Sequence, residues 1–294
     1  MATYSIKDLE ELSGIKAHTI RIWEKRYGIV VPARTDTNIR LYSDDDLKKL
    51  LNISILNRHG LKISHLSKMD QEELKEKVMH ISHETSDTGI QIENLILAML
   101  ELDEWKFNKV LNDSIIKIGF EETLVKVMHP FFEKIGLLWQ TGSINPAQEH
   151  FVSNLLRQKL IVAIDGQAPV ARENPVSFIL FLHENELHEL GLLFYSYLLK
   201  KNGINVVYLG QAVPFEDLEK ITKIRKAEYF LTSFTTGIRE EDLKKYLKKL
   251  SVSFPDHTIL YTGLQVTKIN GELQNNLVKV ESVYHFRNII KSIK

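Results

Sequence analysis

Cysteine is absent from this sequence. That excludes disulfides, thiolate zinc sites, cysteine nucleophiles and iron–sulfur clusters together, so any metal must be held by histidine or carboxylate. Long apolar runs are missing too. No stretch approaches the ~20 residues that cross a bilayer. The start, MATYSIKDLEEL, has no apolar segment of signal-peptide type, which points to a cytoplasmic protein with no membrane partner. Net charge is also lacking, since 38 basic side chains face 38 acidic ones. With 44% hydrophobic residues over 294 positions, the chain has the material for a sizeable core and the length for about two domains.

The zero sum hides an uneven distribution. Residues 1–69 hold 12 Lys and Arg against 8 Asp and Glu, a net of +4. Residues 70–175 hold 10 against 17, a net of −7. A basic amino-terminal unit on an acidic or neutral body predicts a head that binds a polyanion. Within it, Ser5 and Asp8 form a capping box and Gly14 ends a first short helix. A second helix follows from about Lys16 to Arg26, with Ile20 and Trp23 on its core face. Two short helices joined by a glycine turn are a helix-turn-helix pattern. Residues 28–42 suit a β-hairpin or wing. Ser43 and Asp46 cap a helix over 44–59, which Gly60 ends, and a short helix starts near Ser64. Residues 16–40 carry six basic side chains against two acidic. Lys16, His18, Arg21, Lys25, Arg26, Arg34 and Arg40 are therefore the candidates for contact with double-stranded DNA, with Lys16, His18 and Arg21 nearest the base edges.

From about 70 to 165 the pattern is helical, with helices expected at 71–81, 88–101, 104–118, 121–138 and 147–164. The segment TGSINP at 141–146 breaks the last two apart. A linker helix and a four-helix bundle fit this spacing. QAPVARENP, bracketed by Pro169 and Pro175, reads as a linker. After it the period changes: VSFILFL, INVVYLG, YFLTSF, TILYTG and the weaker LVKVES at 277–282 are apolar runs separated by helical stretches. That alternation predicts a parallel sheet covered on both faces, a flavodoxin-like, Rossmann-type doubly wound domain. The expected architecture is thus multidomain, α and α/β: a winged helix-turn-helix head over 1–70, a helical bundle over 71–168 and a Rossmann-like domain over 175–294.

The densest chemistry is HENELHELG at 183–191, directly after the first strand of that last domain. His183 and His188 lie five apart, not four, so they do not share a helix face as zinc-protease histidines do. Instead, Glu186 two residues before His188 can hold one imidazole nitrogen, fixing the tautomer and raising the basicity of the other, as a metal-ligating histidine requires. Gly191 lets a bulky ligand approach the backbone at the first helical turn. Forty-one residues separate Gly191 from Ser233, and twenty-six separate Thr235 from Thr262-Gly263. These positions close the first, third and fourth strands, where open α/β sheets bind their ligands.

Glu186-x-His188-x-x-Gly191, Ser233 and Gly263 resemble the Asp-x-His-x-x-Gly, Ser-x-Leu and Gly-Gly signature of cobalamin-binding domains. Thr235 stands in place of Leu, and Thr262 in place of the first Gly. The resemblance implies that His188 is the lower ligand of cobalt, replacing the cofactor's own dimethylbenzimidazole. It also implies that the nucleotide tail runs into the sheet past Ser233, Thr262 and Gly263. Residues 4–69 resemble the MerR family of regulators through Tyr4, Ile6, Thr19, Arg21, Trp23, Glu24, Arg26, Tyr27, Pro32, Arg34, Arg40 and Tyr42. In that family the second helix enters the major groove and wing arginines grip phosphates. Trp139, nine residues and then Glu149-His150 resemble the Trp–Glu-His motif of light-sensing cobalamin regulators of the CarH/LitR type. There the bundle caps the upper face of the corrin, and Trp139, Glu149 and His150 stand on the side of a 5′-deoxyadenosyl group. Gln140 replaces a histidine that takes cobalt after photolysis in some members, leaving His150 or His129 as stand-ins.

The combined resemblance implies a cobalamin-dependent, light-responsive repressor that senses adenosylcobalamin and forms a homo-oligomer, a dimer or tetramer. Two other classes remain. A cobalamin enzyme needs a substrate domain, often a barrel of ~250 residues, and no stretch supplies one. A regulator of the same build that binds no cofactor and answers to a protein partner differs only in whether the loop at His188 holds a corrinoid.

Overall fold

The computed structural model describes residues 3–84, 87–140, 144–168, 176–269 and 276–293. The chain divides into two compact units, Met1–Leu155 and Leu156–Lys294.

The first unit opens with α1 (Ile6–Ser13) and α2 (Ala17–Tyr27). The Ser5–Asp8 capping box is present, and Gly14 closes α1 in the left-handed conformation that glycine adopts at least cost. Strands β1 (Ala33–Arg34) and β2 (Arg40–Leu41) pair antiparallel as the wing. A bridge from Tyr4 to Tyr42 closes the head. Next come α3 (Asp44–Arg58), capped by the Ser43–Asp46 box, the single turn α4 (Ile63–Leu66) and α5 (Gln71–Glu84). Then follow α6 (Thr88–Glu101), α7 (Glu104–Ile118), α8 (Phe120–Thr123), α9 (His129–Gln140) and α10 (Pro146–Asp165).

α3 and α6 explain why this unit does not divide at residue 70. Leu50 to Leu56 in α3 and Ile90 to Leu100 in α6 are buried without interruption. A helix buried on every side must have neighbours on every side, and α3 packs on α1, α4, α5 and α6. Head and helical region therefore share a core, and the division between units falls inside α10.

One helix departs from expectation. The stretch expected over 121–138 runs from Phe120 to Gln140, with a π-helical segment, Leu124–Met128, in its middle. There the His129 N–H bonds to the Leu124 carbonyl, five residues back. Pro130 follows at once. It has no N–H to donate, and its ring crowds the carbonyl four residues before it, so the wider register accommodates the proline without ending the helix.

The second unit contains the end of α10 and a five-stranded parallel sheet of β3 (Ser177–His183), β4 (Asn205–Val213), β5 (Tyr229–Ser233), β6 (Thr258–Thr262) and β7 (Leu277–Lys279). The spatial order is β4-β3-β5-β6-β7, the flavodoxin-like winding. α11 (Leu190–Lys201), α12 (Phe215–Ile224), α13 (Glu240–Ser253) and α14 (Val283–Ser292) connect or follow the strands. Phe178, Ile179, Leu180, Phe181 and Leu182 of β3 are fully buried, as a strand covered on both faces requires. β4 runs three residues beyond the apolar run INVVYLG because register shifts opposite Phe181 and His183 carry it past Gly210. β7 is shorter than LVKVES. The linker bracketed by Pro169 and Pro175 lies outside the described residues. Among the described residues, no helix is long and apolar enough to cross a membrane.

Candidate functional site

Strand order reverses beside β3, so the carboxyl ends of β3 and β5 are the usual ligand position in such sheets. Two loops meet there. After β3 the chain turns tightly, with the Glu186 N–H on the His183 carbonyl at 2.8 Å. This carries the Glu186 carboxylate inward until its residue is only 3% exposed. The loop after β5 supplies the donors it needs. Oε2 accepts the backbone N–H groups of Thr235 (2.6 Å) and Thr236 (2.7 Å). Oε1 accepts the Thr236 hydroxyl (2.7 Å) and the His188 N–H (3.0 Å), and lies 2.7 Å from His188 Nδ1. Burial alone pushes this carboxyl up, but the hydrogen bonds outweigh it and hold it down at about 2. It is a fixed anion at any ordinary pH.

That anion decides what His188 can do. Nδ1–H donates to Glu186, with the Thr236 oxygen 3.1 Å away as a second acceptor. The remaining ring nitrogen, Nε2, then keeps its lone pair, and the side chain is 61% exposed. Sequence spacing predicted this pairing; it did not predict Thr236. The backbone amides of Thr235 and Thr236 carry no side-chain signature, and their place 49 and 50 residues from Glu186 follows only from strand order.

Neighbouring positions are consistent with a large flat ligand. A Cβ built on Gly191 meets nothing within 4 Å, so the first turn of α11 is open to approach. Leu187 and Leu264, at loops on the same sheet edge, are 62% and 57% exposed. Among the described residues, no group of three or more His, Asp or Glu is placed to hold a bare metal ion. A single presented imidazole beside exposed apolar side chains suits a metal that brings its own ring of donors, so the lower-ligand end fits a corrinoid.

The remaining signature positions do structural work. Ser233 is buried at the end of β5. The Thr262 hydroxyl donates to the Val280 carbonyl at 3.0 Å. Gly263 has φ +107°, and a Cβ there would stand 2.4 Å from the Phe234 carbonyl oxygen, so the backbone itself demands glycine. Thr235 acts through its main chain, its carbonyl accepting from Gln265 Nε2 at 3.0 Å. A further network, not foreseen, steadies the loop from the other side. Glu189 is ion-paired with Arg157, its carboxylate 3.0 Å from Nε, and accepts the Tyr208 hydroxyl at 3.0 Å.

In the helical region Glu149 and His150 open α10. The Glu149 carboxylate is hydrogen-bonded to the Ser153 hydroxyl and lies 2.9 Å from His150 Nδ1. His150 is 71% exposed, and His129 faces Glu133 at 3.6 Å. The side chains of Trp139 and Gln140 lie outside the described residues.

On the head, His18, Arg21, Ile22 and Lys25 form one exposed face of α2, at the i, i+3, i+4, i+7 positions, while Ile20 and Trp23 are buried behind it. Lys16 sits at the N-cap, paired with Glu10 at 3.1 Å. Arg26 is exposed, 5.3 Å over the Tyr27 ring, and Arg34 is exposed on the wing. Arg40 is different. Its Nε binds both Glu24 oxygens, at 3.1 and 3.2 Å, and Glu24 also accepts the Tyr42 hydroxyl at 3.4 Å. Arg40 thus locks the wing to α2.

Residues 4–73 match the family "MerR HTH family regulatory protein", and residues 91–163 match "B12 binding domain". The chain is 28% identical over 271 residues to the HTH-type transcriptional repressor CarH of Myxococcus xanthus, covering 89% of this chain and 88% of that one. It is 25% identical over 254 residues to the repressor CarA of the same organism, covering 84% and 81%. Both relatives are transcriptional repressors. Among solved structures, the monomethylamine corrinoid protein of Methanosarcina barkeri shares the fold, with a TM-score of 0.51 at 14% identity over 67% of this chain and 95% of that one. The chain thus combines a MerR-type helix-turn-helix head with a B12-binding domain.

Proposed function

We propose that this protein is a DNA-binding transcriptional repressor that senses adenosylcobalamin and releases its operator in light. The observation that carries the reading is the Glu186–His188 pair. A buried, ionised carboxylate on Nδ1 fixes the tautomer of a largely exposed imidazole and turns Nε2 into its electron-pair donor. His188 would hold the cobalt, and Gly191, Ser233, Thr262 and Gly263 would border the nucleotide tail. Trp139, Glu149 and His150 are assigned to the upper ligand by their match to the Trp–Glu-His motif. When bound, adenosylcobalamin supplies a cobalt–carbon bond that light cleaves.

The protein's share is recognition and linkage. The exposed face of α2 reads a major groove from His18, Arg21 and Lys25, and Lys16, Arg26 and Arg34 hold phosphates. Arg40 keeps the wing in register with that helix. A ligand shifts DNA affinity only by binding one conformational or oligomeric state better than another. The reading therefore includes a homo-oligomer, a dimer or tetramer, that is favoured with the adenosyl form bound.

The test is the absorption spectrum of the purified full-length protein mixed with adenosylcobalamin in darkness. The expected result is the spectrum of a cofactor ligated by histidine, lost in His188→Ala. A spectrum equal to that of the free cofactor for the wild type would mean that the loop is not a cobalt site.

A further inference from the structure

The lower-ligand end of the crevice is open, but the space leading away from it is not. If His188 replaces the base that a cobalamin carries on its own tail, that tail must leave the lower face of the ring. Gly191 marks the open approach on α11. Four residues on, one turn further along the same helix face, stands Tyr195. It is 8% exposed. Its ring meets Phe286 of α14 edge to face, with centroids 4.7 Å apart, and its phenol lies beside the Thr262 hydroxyl. Thr262 is held in turn by the Val280 carbonyl, and Phe286 is fully buried. On the β5 and β6 side, Gly263 is pressed so closely on Phe234 that a Cβ would stand 2.4 Å from its carbonyl oxygen. Helices α11 and α14 and the ends of these strands therefore meet around a tyrosine, where a nucleotide tail passing Gly191 and Thr262 would have to lodge.

We infer that Tyr195 is a specificity-determining residue that fills the tail position, so that the protein prefers corrinoids with a short tail or none over those with a full nucleotide tail. The inference rests on the cobalamin reading above. A full tail enters only if the Tyr195 ring abandons its packing on Phe286 and its place beside Thr262. Forcing a bulky group into a filled interior is costly. A tail-less corrinoid makes no such demand, and still offers its cobalt to His188.

The experiment is a spectrophotometric titration of the full-length protein with aquocobinamide, which lacks the nucleotide, and with hydroxocobalamin, which has it. Wild type is expected to bind the cobinamide more tightly by about tenfold or more, the scale of a modest overpacking cost. Tyr195→Ala should raise hydroxocobalamin affinity by about the same factor and leave cobinamide affinity unchanged. Tyr195→Val serves as a second variant that leaves a smaller void beside Phe286, and it should shift the preference in the same direction. Hydroxocobalamin binding to wild type as tightly as cobinamide, with no gain in either variant, would overturn the inference while leaving the cobalamin reading intact. Binding of neither compound to any of the three proteins would overturn both.

Discussion

His188 is exposed and Glu186 is not, and that difference sets what each substitution does. His188→Ala removes the ligand nitrogen from a half-open loop and should leave stability nearly unchanged. Glu186→Ala removes the acceptor for Thr235, Thr236 and His188 at once. Outer-shell changes at metal-ligating histidines typically cost ~10–100-fold in affinity. Here the cost should lie at or above the top of that range, with a lowered Tm, because two loop amides lose their partner. The carboxyl also makes stability depend on pH. Its pKa is held at about 2 in the folded protein against an ordinary 4.5, so it stabilises fully above about pH 4.5 and less as pH falls towards 2. Acid titration of unfolding should show that loss in wild type and a flatter curve in Glu186→Ala. On the head, Arg34→Ala should weaken DNA binding for every sequence and reduce the salt slope by about one phosphate contact. Arg40→Ala should instead loosen the wing through Glu24, lowering stability as well as affinity. Fluorescence anisotropy across a salt series, with melting curves on the same proteins, separates the two. Equal stability of both variants would place Arg40 with Arg34 as a plain phosphate contact. The pairing of Glu186 with His188 was legible because the residues are two apart. The contacts of Thr236, Tyr195 and Arg40 were not, because their partners come from distant strands or helices.

Helix ends were readable where side chains write them. Ser5 with Asp8, and Ser43 with Asp46, cap where their spacing says. The π segment before Pro130 and the overrun of β4 were not readable, since each follows from how the backbone accommodates a neighbour. The same holds for α6. Its sequence reads as an ordinary helix, yet Glu93 is 3% exposed and salt-bridged to Arg58 at the end of α3, with Oε2 lacking a hydrogen-bond partner among the described residues. Burial raises this carboxyl to about 7, although Arg58 and Lys134 pull it down. The sign is opposite to that of Glu186. The folded state holds the proton more tightly, so Glu93's contribution to stability is full below about pH 4.5 and is lost as pH rises through about 7. Glu93→Gln should abolish that part of the dependence and leave the protein more stable than wild type at pH 8. Thermal melts from pH 5 to 8 check this, and parallel curves for the two proteins would show that Glu93 titrates normally. Because the pair joins the last turn of α3 to α6, its ionisation bears on the core that the head shares with the helical region.

For the molecule as a whole, the order of parts was legible from changes in period and charge: basic helix-turn-helix head, helical region, then parallel sheet. The compact division was not, because a boundary inside one continuous helix leaves no glycine, proline or charge run to mark it. In the proposed function the parts act together through linkage between a corrinoid at His188 and DNA on α2. Several heads joined in one assembly raise the effective concentration of each at its half-site, so loss of the assembly should lower apparent affinity even if every head is unchanged. The decisive measurement is DNA binding by the full-length protein with adenosylcobalamin, before and after illumination, with size-exclusion of the same samples. The duplex would be one recovered by selection from a random pool, and His188→Ala and Trp139→Ala would be run in parallel. The account predicts a larger species and tighter binding in darkness, both lost in light, with neither variant showing the dark state. Equal size and equal affinity in dark and light, with cofactor demonstrably bound to the wild type, would contradict it.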